Sequence, residues 1–161
     1  MSQSTTMFTP VPDASLIRGA TTDRLGDLFT RELLDVAMDR AARHSRATVA
    51  VFAAAPVECP RFLAAIEFVV EFFVPPTSME MFHRELEAQL LLLSPGYVTG
   101  RYRGEFAACA LHNISSGTFH QYRITCRASA ADQRQSRWSR DRLYLDGVLH
   151  QDRTGWRELG S

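Results

Sequence analysis

Cys109 and His112 stand three residues apart, His120 follows, and Cys126 closes the stretch "GRYRGEFAACALHNISSGTFHQYRITCR", residues 100–127. Thiolate and imidazole are the donors zinc prefers, so a Cys2His2 site is the first chemistry to test. Period-two alternation makes the stretch a β-hairpin, in which Cys109 and His112 point to opposite faces and Cys126 lies far from the turn. Four such donors do not converge at the ~2 Å a zinc site needs. No metal and no cofactor is therefore expected. The two imidazoles are a separate matter, because a short loop places His112 and His120 nearly opposite each other on the core face. A pair that close can share a proton or lower each other's proton affinity, and with Tyr122 it forms the catalytic candidate set. The plainer alternative gives each imidazole one hydrogen bond at the rim of the core. No GxSxG, HExxH, Walker or dinucleotide-binding glycine pattern supports an enzyme elsewhere in the chain.

Arginine is the second group with chemistry to offer. All 18 basic side chains are Arg, there is no lysine, and Asn113 is the sole asparagine. GC-rich coding DNA is the plain cause of that bias, and phosphate recognition through guanidinium forks is the functional one. Residues 1–96 hold 8 Arg against 12 acids and residues 97–161 hold 10 Arg against 6, so a chain of zero net charge divides into an acidic and a basic half. Arg101, Arg103, Arg123 and Arg127 share the outer face of the hairpin. Arg137, Arg140 and Arg142, with Trp138 and Tyr144, lie on or beside the next strand. Such a basic, aromatic-bearing sheet surface can neutralise phosphates and stack bases. The competing account pairs these arginines with Glu105, Asp141 and Asp152 across strands.

Elements must position these groups. Residues 1–20, rich in Ser, Thr and Pro and without periodicity, read as a mobile arm, and residues 21–161 as one domain. A first helix runs from Thr21 or Thr22 to about Arg43, with Leu25, Phe29, Leu33 and Val36 as its apolar stripe. "ATVAVFAAAP" is a buried strand stopped by Pro56. From Pro60 to Phe73 the chain is apolar on nearly every side, with Glu67 and Glu71 on one stripe, and reads as a buried helix; a strand at "IEFVVEFFV" is the alternative. Thr77 and Glu80 form a capping box for a third helix carrying Met79, Phe82, Leu86, Leu90 and Leu93, ended by Pro95-Gly96. Beyond Gly96 the period is two. Asp146-Gly147, between "SRDRLYL" and "VLHQDR", signals a second hairpin.

The expected fold is therefore α+β, with N-terminal helices packed on a C-terminal four-stranded antiparallel β-meander. In element order this resembles the cone-shaped NTF2/SnoaL-like class, where a curved sheet wraps a pocket closed by helices; no residue is carried over from it. The expected function is a small, non-catalytic binding protein that contacts an anionic partner, RNA or single-stranded nucleic acid, through the arginine face. A small-molecule enzyme or ligand-binding protein with its pocket between sheet and helices is one alternative. A protein-interaction module, including a homodimer, is the other. No apolar run reaches the ~18 residues of a membrane span. With three scattered cysteines read as reduced thiols, a soluble cytoplasmic protein is expected.

Overall fold

Two long neighbouring strands, each apolar on both faces, form the centre of the molecule. The computed structural model describes residues 14–126 and 137–155. β1 (Thr48–Cys59) and β2 (Leu63–Val74) pair antiparallel across the tight turn Pro60–Phe62, where Arg61 takes a left-handed φ of 65°. β3 (Ala110–Ile114) joins parallel to β2, and the two-residue β4 (Arg137–Trp138) joins parallel to β1. The sheet is mixed, in the order β3-β2-β1-β4.

Among the described residues six helices surround it: α1 (Ala14–Asp27), α2 (Arg31–His44), α3 (Met79–Leu93), α4 (Pro95–Tyr102), α5 (Thr118–Thr125) and α6 (Leu143–Gly155). Strand alternation sorts them into two layers. Phe52, Ala54, Ile66, Phe68, Val70 and Phe72 face one way and bury against Leu25, Leu34, Met38, Phe82, Leu86 and Tyr97 of α1 to α4. Val51, Ala53, Ala55 and Val69 face the other way, against Phe119 of α5 and Leu145 and Val148 of α6. Among the described residues no helix is long and apolar enough to cross a membrane.

The four-stranded antiparallel meander expected after the helices is overturned, and with it the resemblance to the cone-shaped class. Three local errors combine to produce it. Pro60–Phe73 is a turn and a strand rather than a helix, because residues i and i+4 share a face in both geometries and Glu67 with Glu71 could not separate them. The second arm of the supposed first hairpin is α5, whose buried Phe119 and half-buried Tyr122 are three apart, while Ile124 and Cys126 of the same supposed core face are exposed. Asp146-Gly147 is not a turn but lies inside α6, where a Cβ on Gly147 would stand 2.2 Å from the Tyr122 hydroxyl; the glycine lets α5 and α6 approach.

Smaller differences follow local capping. The single first helix is two, since Thr30 accepts from the Leu33 amide and restarts the chain as α2. α1 begins at Ala14, within the stretch read as an arm. Ser78, not Thr77, caps α3, and Pro95 opens α4 after closing α3.

Candidate functional site

β2 carries two acids into an apolar layer, and a buried carboxylate needs partners. Glu67 and Glu71 are 7% and 8% exposed, and both face the α5–α6 layer. Glu71 accepts from the amides of Gly117 (2.7 Å) and Phe119 (3.2 Å), so a sheet side chain caps the N-terminus of α5. Glu67 is held from both sides. Its Oε1 lies 2.6 Å from Nε2 of His112 on β3, and its Oε2 accepts from Arg142, just ahead of α6. The other end of the Arg142 guanidinium donates to Asp146 at 2.8 Å. Partial burial works against the Arg142 charge, but hydrogen bonds and charge from Glu67 and Asp146 outweigh it and raise its pKa above the ordinary arginine value.

His112 reaches Glu67 because β3 runs parallel to β2 with Val69 opposite His112 and Glu67 opposite Ala110. Its side chain is 40% exposed while that of Glu67 is 10% exposed. Among the described residues Nδ1 has no protein hydrogen-bond partner. The arrangement is a buried carboxylate orienting a half-exposed imidazole, with a guanidinium fixing the carboxylate. Of the other two catalytic candidates, Tyr122 stacks edge-on against Tyr144 at 5.4 Å in the α5–α6 layer. His120 lies exposed on α5. The strand-against-strand placement expected to set His112 opposite His120 is absent, since His112 on β3 is bonded to Glu67 and His120 is exposed on the helix α5.

A second polar cluster lies on the opposite side of the sheet. Glu87 of α3 accepts from the Tyr97 hydroxyl (3.1 and 2.9 Å to its two oxygens), from Arg101 Nε (2.9 Å) and from the Cys109 amide (3.1 Å). Burial, then the charge and hydrogen bond of Glu87, push the Cys109 thiol and the Tyr97 phenol far above their ordinary pKa values, against an opposing pull from Arg101. Cys109 thus lies in the core opposite to the His112 face, Cys126 is exposed beyond α5, and among the described residues no group of three or more His, Cys, Asp or Glu is placed to hold a metal ion.

The arginines fall on several elements and both layers. Arg101 on α4 is tied to Glu87, and Arg103 is exposed at the α4 C-cap. Arg123 is half-buried on α5. Arg137 and Trp138 form β4, with Trp138 packed against the α1–α4 core. Arg140 pairs with Asp27, and Arg142 with Glu67 and Asp146. Arg127 lies outside the described residues. The shared sheet face on which they were grouped disappears with the meander. Of the acids suggested as their cross-strand partners, Glu105 pairs instead with Arg24 at 3.2 Å. Asp141 caps the start of α6 by accepting from the Leu143 amide, and Asp152 accepts from the Ser115 amide.

Sequence reasoning noticed Glu67 and Glu71 only as a stripe and did not reach Glu87. The signal was there for the first two, since a carboxylate inside an otherwise apolar run must be matched from elsewhere in the chain. No family model matches this chain, and no curated protein is significantly similar to it.

Proposed function

We propose that this chain is a small-molecule domain that performs general acid–base chemistry at the imidazole of His112. One observation carries the reading: Nε2 of His112 lies 2.6 Å from a carboxylate of Glu67 that is buried and clamped by Arg142. With Glu67 accepting the Nε2 proton, the lone pair of the ring rests on Nδ1, and the carboxylate stabilises the imidazolium that forms when Nδ1 takes a proton. Arg142 acts as a positioning residue for Glu67. Support for an anionic macromolecular partner is weaker, because Arg101, Arg140 and Arg142 are each engaged by acids of the same chain.

An activated ester tests the imidazole without a known substrate. With 4-nitrophenyl acetate, Nδ1 takes a proton from the water that attacks the acetyl carbon, 4-nitrophenolate leaves, and acetate is released. His112→Gln should lower the protein-dependent rate by on the order of 10². His120→Gln should leave it unchanged, and Glu67→Gln, with its fold checked by circular dichroism, should give an intermediate rate. Equal rates for wild type and His112→Gln would overturn the proposal.

A further inference from the structure

Arg142 meets Glu67 through a single nitrogen. Its Nη1 donates to Oε2 of Glu67, while its Nη2 is turned to Oδ1 of Asp146 at 2.8 Å, which leaves Oε1 of Glu67 to Nε2 of His112 at 2.6 Å. A guanidinium and a carboxylate left to themselves favour two parallel hydrogen bonds, because their planar forks match. That closed form would engage both oxygens of Glu67 and set Arg142 against His112 for Oε1. What holds the open form is local to α6. Asp146 stands in its first turn, four residues beyond Arg142, and its amide donates to the Arg142 carbonyl at 2.8 Å, so the side chain is tethered where it can draw Nη2 away from Glu67. Among the described residues Glu67 and Asp146 are the only acids paired with Arg142. The Asp146 side chain is 57% exposed, and α6 packs on the sheet through Leu145 and Val148 instead.

We propose that Asp146 is a positioning residue for His112: by accepting from Nη2 it keeps Arg142 on one oxygen of Glu67 and reserves the other for the imidazole. The contacts run from a surface acid through a guanidinium and a buried carboxylate to a half-exposed ring. Loss of the surface acid lets the guanidinium close on both oxygens, and His112 then shares or loses its acceptor. The placement holds whatever reaction His112 performs; its effect on rate rests on the acid–base reading above.

The Nε2 proton of His112, followed by nitrogen-edited NMR at neutral pH, reports the bond to Glu67 directly, because a proton held by a carboxylate exchanges slowly with water. Asp146→Ala removes the acceptor of Nη2 and should speed that exchange about tenfold, the loss of one charge-assisted hydrogen bond. Asp146→Asn keeps an oxygen at the same place while removing the charge, and should retain most of the protection. Circular dichroism checks the fold of both variants, and hydrolysis of 4-nitrophenyl acetate should fall in the same order, wild type above Asn above Ala. Unchanged exchange in Asp146→Ala would overturn the proposal. So would equal acceleration in both variants, since that outcome assigns the effect to charge at a distance and not to the hydrogen bond. If the exchange rates keep the expected order while ester hydrolysis is the same with and without His112, the acid–base reading fails and the positioning role of Asp146 stands.

Discussion

Glu87 shows how much one carboxylate can organise: it ties the phenol of Tyr97 and the guanidinium of Arg101 on α4 to the amide of Cys109 ahead of β3. Tyr97 and Cys109 are neutral, buried donors beside that charge, and their raised pKa values make a stability statement. Below about pH 7.5 both groups stay protonated in the folded and the unfolded chain, so nothing is lost. Above it the unfolded thiol, and about one unit higher the unfolded phenol, release protons that the folded chain still holds. Unfolding then becomes easier as pH rises, by up to ~1.36 kcal/mol per pH unit for each group. Urea melts from pH 7 to pH 10.5 should show a plateau followed by a decline. In Cys109→Ala the decline should begin later and be shallower, whatever the variant's stability at neutral pH. An unchanged slope would remove Cys109 as its source. Iodoacetamide at pH 8 should label the exposed Cys126 and leave Cys109 unmodified.

Among the elements, α5 has eight residues, fewer than a helix needs to persist alone in water. Its N-terminus follows Gly117, which has a left-handed φ of 88° and no side chain to cap with. Glu71 supplies the cap from the sheet, so Glu71→Ala leaves two amides without their acceptor and should cost roughly 1–3 kcal/mol. Hydrogen exchange should find the loss concentrated in Thr118–Thr125; uniform loss across the sheet would mean that Glu71 serves β2 instead. This dependence explains what was legible in the chain. β1 and α3 were, because a β-branched apolar run and a long 3.6-residue stripe carry their geometry locally, although β1 continues through Pro56, paired with Ile66, to Cys59 instead of stopping at the proline. β2 was not, because a strand covered on both faces loses its alternation and looks like a buried helix. α5 and α6 were not, because the cap of α5 comes from Glu71 on a distant strand and the two helices meet where Gly147 makes room for Tyr122, contacts that no local pattern shows. Of the candidate site, His112 was visible as a residue type, but its partner Glu67 is 45 positions away and is supplied by strand pairing.

Across the whole molecule, the opposite charges of the two halves pair with each other, at the surface and in its interior. Arg101, Arg140 and Arg142 of the basic half pair with Glu87, Asp27 and Glu67 of the acidic half, and Arg24 returns the contact to Glu105. The β1–β2 pair plays the same joining role for apolar packing, since its two faces wall both cores. A residue on one face should therefore govern the stability of the layer it never touches. Phe68 is fully buried on the α1–α4 side, its ring 6.2 Å from that of Phe52. Phe68→Ala should cost about 3–5 kcal/mol, a large share of the roughly 5–15 kcal/mol that holds a domain together. Shared strands predict one unfolding transition, so amide protection of Leu145 and Val148 in α6 should fall by the same free energy as that of Ala37 and Met38 in α2. If α6 instead kept its wild-type protection while α2 lost it, the two cores would be separate folding units, and the His112–Glu67–Arg142 cluster would stand on the one that persists.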